Sequence, residues 1–118
     1  MPEHQDSLVT QLDGPLAQLQ VDTKQLFQRM QRLTSDKSCQ TDQQCQLFSL
    51  GQRSCGGPEQ FIAYSVQETD VKLLAFTNER YMKLKQQQQQ RLGLLNQCQV
   101  LPEPEVKCIQ QQCTLMAN

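Results

Sequence analysis

Residues 39–65 read CQTDQQCQLFSLGQRSCGGPEQFIAYS and hold three of the six cysteines, a Gly-Gly-Pro turn signal and the densest run of strand-forming residues in the chain. The sequence on either side is rich in glutamine and helical in pattern, so this segment predicts a disulfide-braced β unit around which helices are arranged. After Cys45 the residues alternate, Leu47 and Ser49 on one face and Phe48 and Leu50 on the other, which predicts a short strand over 45–50. A second strand is expected over 60–64. The connection between them carries Gly51 and Cys55-Gly56-Gly57-Pro58, where glycine permits positive φ and proline stiffens the exit. The expected unit is a hairpin with a long, braced loop.

Towards the N-terminus, Val9, Leu12, Leu16, Leu19, Thr23, Leu26, Met30 and Leu33 step by threes and fours, which places one narrow apolar stripe on a helix. Gly14 and Pro15 interrupt that pattern chemically, because proline lacks an amide donor and is best tolerated in a first turn. Either a kink there or a helix that starts near Pro15, capped by Asp13, is expected, ending around Thr34 to Asp36. The stripe suits a helix-mediated dimer or packing on the chain's own domain. Glutamine fills most flanking positions, so the charge code that sets coiled-coil partners is weak.

Towards the C-terminus, Ser65-Val66-Gln67-Glu68 matches a capping box, with Thr69 and Asp70 as competing caps. A second long helix should follow, with Leu74, Tyr81, Gln88 and Leu95 recurring every seven residues and Val71, Leu84 and Leu92 on the same side. The run Gln86 to Gln90 lies on it as a solvated surface, and Gly93 marks its end. Pro102 and Pro104 then force an extended connection. Val106 to Ile109 and Cys113 to Met116 read as two strands about a Gln110-Gln111 turn. A two-residue turn sets Cys108 opposite Cys113, close enough for a bridge, and both could equally reach the cysteines of residues 39–55.

At 118 residues the chain is expected to form one domain, an N-terminal helical segment over 1–36 and a cysteine-braced core over 37–118. The fold class is α+β: two long amphipathic helices packed with a small antiparallel sheet built from residues 45–50, 60–64, 106–109 and 113–116. With 37% apolar residues and no tryptophan, the core is thin and cross-links help it. Eleven basic and twelve acidic residues, without a block of either sign, exclude a nucleic-acid partner. The basic run Arg80 to Lys85 reads as a solvated helix face. No stretch of about 18 apolar residues exists to span a bilayer.

An even number of cysteines in a short chain without a Cys-x-x-Cys pair predicts an oxidised framework of three disulfides among Cys39, Cys45, Cys55, Cys98, Cys108 and Cys113. It also predicts a periplasmic or secreted protein. The start MPEHQDSLV has no basic-then-apolar export signal, so a mature form whose signal has been replaced by Met1 is expected. The cysteine gaps of five, nine, 42, nine and four residues are poor zinc spacing, so no metal is expected.

His4 is the single histidine, which removes the usual nucleophile and base pairings, and no phosphate loop or dinucleotide fingerprint is present. Asp42, Glu59, Glu68 and Asp70 are carboxylates in number only, reading locally as caps and turn residues. The expectation is therefore a non-enzymatic binding or structural module without a cofactor, its partner another protein. The alternative is an inhibitor of an exported hydrolase, a protease or lysozyme, acting through the loop from Gly51 to Pro58. The candidate interaction residues are Gln52, Arg53, Gly56, Gly57, Pro58 and Glu59, with Gln52, Arg53 and Glu59 exposed. Arg53 is the natural anchor, since a guanidinium forms a paired contact with a carboxylate.

Two resemblances add to this. Cys39, Asp42 and Cys45 stand in a Cys-x-x-Asp-x-x-Cys segment that resembles one in whey acidic protein type inhibitor domains. That family has eight cysteines, an adjacent cysteine pair and no long helices, so its inhibitory loop maps onto no residue here. A broader pattern joins Cys39, Asp42, Cys45, Cys55-Gly56-Gly57-Pro58, Phe61, Ala63-Tyr64-Ser65, Tyr81, Pro104, Val106, Cys108 and Cys113. It is similar to that of small exported bacterial cysteine-rich proteins of unassigned function. The second resemblance implies export and disulfides and brings no activity.

Overall fold

The computed structural model describes residues 2–53, 56–92 and 101–116. Helix α1 spans Pro2–Leu33, strand β1 Cys45–Leu50, strand β2 Gln60–Ser65, helix α2 Val71–Leu92, strand β3 Glu105–Ile109 and strand β4 Gln112–Met116. The chain is α+β, and all four expected strands form within a residue or so of their expected bounds.

Helix α1 does not begin at Pro15. It runs unbroken through Gly14 and Pro15, because proline removes one backbone hydrogen bond while the turns on either side keep theirs. From Leu19 the stripe behaves as the spacing predicts: Leu19, Thr23 and Met30 are buried, and Leu26, Phe27 and Leu33 pack on the same core. That core joins α1 to Leu50 of β1, Leu74 and Tyr81 of α2, and Phe48 and Ile62 of the first hairpin. The Phe27 and Tyr81 rings meet at 6.1 Å. From Leu19 to Leu33 the stripe thus packs inside the chain, on a core shared with α2. Further along, Gln88 of the glutamine run accepts from the Thr23 hydroxyl at 3.3 Å.

Helix α2 is capped by Asp70, whose Oδ1 accepts from the Leu73 amide at 3.0 Å. Ser65 is not the cap. It ends β2 fully buried, and its hydroxyl donates to the Ser38 carbonyl at 2.6 Å. Val71, expected on the apolar side, is 40% exposed, while Thr77 and Asn78 take buried positions about two turns further on. The first turn of α2 therefore overhangs the core, and its buried face begins at Leu74.

The strands form two antiparallel pairs, β1 with β2 and β3 with β4, in place of one sheet. Cys45 lies opposite Ser65 and Leu50 opposite Gln60 in the first; Cys108 lies opposite Cys113 in the second. The reason is the segment that leaves α1. Ser38 forms a bridge with Gln112, the Cys113 amide donates to the Lys37 carbonyl at 2.8 Å, and the Cys39 amide donates to the Gln111 carbonyl at 3.2 Å. Residues 37–39 thereby take the edge of β4, while β4 itself packs against β1 and β2, with the Cα atoms of Cys45 and Cys113 5.4 Å apart, so the two pairs do not continue into one sheet.

Cys108 and Cys113 face one another but do not bond to each other. Each reaches the first cysteine segment, as Cys39–Cys108 and Cys45–Cys113. Asp42 assists by accepting from the Cys108 amide at 2.8 Å. The expected third bridge would use Cys55 and Cys98, which lie outside the described residues. Among the described residues, no helix is long and apolar enough to cross a membrane.

Candidate functional site

The loop singled out by sequence is a built turn. Gly51, Gly56 and Gly57 all have positive φ, the Arg53 amide donates to the Gly57 carbonyl at 2.9 Å, and the Gly56 amide returns to the Arg53 carbonyl at 3.0 Å. Gln52, Gly56 and Gly57 are exposed, whereas Arg53 and Pro58 are half-buried. Glu59 departs from its expected exposure. Its Oε1 accepts from the Tyr81 hydroxyl at 2.9 Å, and its Oε2 is buried without a partner. Burial and the adjacent carboxylate push the Tyr81 phenol well above its ordinary pKa of 10.0. Asn78 completes the anchor, accepting from the Gly51 amide at 2.8 Å and donating to the Ser49 carbonyl at 3.3 Å. One end of the loop is therefore locked to α2, while Gln52, Gly56 and Gly57 face solvent.

A larger feature lies on the other side of the first hairpin. A groove of about 600 Å³ runs between residues 60–63 of β2 and residues 112–115 of β4, closed at one side by the last turns of α1 and at one end by Lys37. A groove on the face of a sheet is lined by alternate residues of each strand. Here four consecutive residues of each strand line it, so it runs along two strand edges.

The direction of the backbone groups agrees. Lys37 Nζ donates to the Ala63 carbonyl at 2.6 Å, so that carbonyl turns away from β1. Inward and outward backbone groups alternate along an antiparallel pair, so those of Phe61 face the groove too. The Cys113 amide points away from β3 to reach Lys37, which by the same alternation turns the backbone of Leu115 outward. One end of the β4 edge pairs with residues 37–39, and among the described residues no strand pairs with the rest of it.

Among the described residues, Lys37 is the only charged one lining this groove. Its ammonium donates to two carbonyls, of Thr34 at 3.0 Å and of Ala63, and among the described residues it has no carboxylate partner. Loss of hydration lowers its pKa from the ordinary lysine value. The remaining lining is largely apolar, with Phe27, Phe61, Ile62, Ala63 and Leu115. Sequence reading passed over these residues because each has a local explanation, in a strand or at a helix end. Only the bridge of Ser38 to Gln112, across more than 70 positions, sets the two edges side by side.

A metal reading fails on the chemistry of the sulfurs. Those of Cys39, Cys45 and Cys108 lie within 4.8 Å of one another, but each is bonded in a disulfide and offers no thiolate. Compared with protein-family models, with curated proteins and with solved structures, the chain matches none.

Proposed function

We propose that this chain is a non-enzymatic protein-binding module of an oxidising compartment, periplasmic or secreted, and that it holds its partner in the groove between β2 and β4. The observation that carries this reading is a common apolar groove faced by edges of β2 and β4 with which, among the described residues, no further strand pairs. Open edges are a hazard that folded proteins cover unless they are used, and adding a strand to an edge is a recurring mode of peptide recognition. The two disulfides support the compartment, since such bridges persist where thiols are oxidised. They also fix β4 relative to β1, so the groove keeps its width before a partner arrives and less entropy is lost on binding.

The test is capture from an extract of exported proteins with the wild-type chain and with Leu115→Lys, which sets a charge in the groove at a residue already 39% exposed. A partner retained by the wild type and by Arg53→Ala but lost with Leu115→Lys, at unchanged melting temperature, supports the groove. A partner lost with Arg53→Ala alone moves the site to the loop.

A second reading is supported by the loop tip. Gly56 and Gly57 are exposed and cross-braced by the Arg53 and Gly57 hydrogen bonds, as a loop that enters the active site of an exported hydrolase requires. Purified protein should then lower protease or lysozyme rates stoichiometrically, and a Gln52→Ala, Arg53→Ala double variant should not.

A further inference from the structure

We propose that the groove takes the free C-terminal end of a partner chain as an added strand, with the partner's terminal carboxylate against the Lys37 ammonium. The proposal rests on the protein-binding reading above and names the chemistry of the partner.

The polarity follows from the bridge already present. Residues 37–39 run antiparallel to β4, with Lys37 on the groove side of that short bridge and Cys39 on the far side. A strand that continues this line into the open part of the gap also runs antiparallel to β4, and its C-terminal end then abuts Lys37. Charge selects the same orientation. The end of the groove is a half-buried cation whose partners among the described residues are two neutral carbonyls, and a carboxylate placed there gains a charge-assisted hydrogen bond at a partly desolvated ammonium. The reversed strand brings a terminal ammonium to a lysine, which repels it.

The walls fit an extended chain. The outward backbone groups of Leu115 supply hydrogen bonds to a strand laid along the edge of β4, and residues 60–63 of β2 form the facing wall of the groove. Alternate side chains of the guest point to Phe27 and the end of α1, and the others point to solvent, so every second residue of the guest is apolar. A groove of about 600 Å³ is within the usual range for a bound ligand.

The experiment uses the intact oxidised protein. Random hexapeptides displayed with free C-termini are selected against it, and the enriched sequences are synthesised both as carboxylates and as C-terminal amides. The expected result is enrichment of sequences apolar at alternate positions. Amidation should weaken binding at least tenfold, Lys37→Met should do the same, and Lys37→Arg should keep most of the affinity. Amide exchange at Leu115 should slow at least tenfold in the complex.

Because amidation alters only the peptide, that arm holds even where Lys37→Met disturbs folding. Equal binding of acid and amide, or no enrichment at all, overturns the C-terminal proposal. If acid and amide bind equally and Leu115→Lys still abolishes binding, the protein-binding groove stands and only the carboxylate is lost. If neither Lys37→Met nor Leu115→Lys changes binding of the selected peptides, both the proposal and the groove fail.

Discussion

Gly51 and Gly56 share a left-handed backbone, with φ of 72° and 99°, but not a neighbourhood. A Cβ at position 51 meets Glu59 Cδ at 2.7 Å, and one at position 56 meets nothing within 4 Å. Gly56→Ala should therefore cost about 1 kcal/mol, the conformational term alone. Gly51→Ala should cost about 2 kcal/mol or more, since it also displaces the carboxylate that holds Tyr81. Urea denaturation of both variants checks this, and equal losses would mean the Glu59 side chain swings aside freely. Tyr81 carries a pH prediction. Its folded pKa is raised above the ordinary 10.0, so its contribution is fully present below pH 10 and is lost as pH rises through the folded value. The stability difference between wild type and Tyr81→Phe should be flat below pH 10 and shrink above it. Of this cluster, the turn at Gly51 was legible in the sequence. The inward course of Glu59 was not, because a glutamate beside a proline loop reads as solvated until α2 places a phenol 22 positions away against it.

The C-terminal hairpin was read almost whole, down to its two-residue turn and the opposition of Cys108 and Cys113. Its turn residues, Gln110 and Gln111, both have positive φ, 51° and 64°, the geometry that asparagine and glycine take at least cost. Gln111→Gly should therefore raise stability by about 1 kcal/mol, measured as a higher denaturation midpoint at unchanged slope. A loss would show that the Gln111 side chain makes a contact worth more than the strain. The start of α2 was misread for a physical reason. Ser65 and Glu68 have the spacing of a capping box, but the Ser65 hydroxyl is buried and already donates to Ser38, so Asp70 caps the helix. The four strands were legible from alternation and turn residues, which are local. Their division into two pairs was not, because it depends on residues 37–39 taking the edge of β4, and no local pattern in Lys37-Ser38-Cys39 announces that. The groove stayed hidden for the same reason.

Across the whole molecule, the two disulfides close nearly the same loop, with sequence separations of 69 and 68. Once one is formed, the other constrains only the short arms from Cys39 to Cys45 and from Cys108 to Cys113. By chain entropy, replacing either pair with serine should cost about 3 kcal/mol, and replacing both should cost about 7 kcal/mol, more than twice the single loss. Denaturant titration of the three variants measures this, and strict additivity would argue that the bridges act by packing. The same closure decides how the molecule carries a load. Tension applied at its two ends passes from Cys39 directly to Cys108, so β1, β2 and α2 hang slack within a sealed circuit while only the flanking segments bear force. Stretched by its termini, the oxidised chain should extend to about 180 Å and no further. After reduction it should run out to about 410 Å, at about 3.5 Å per residue. A thiol reductant would then act as a length switch, readable in an optical trap.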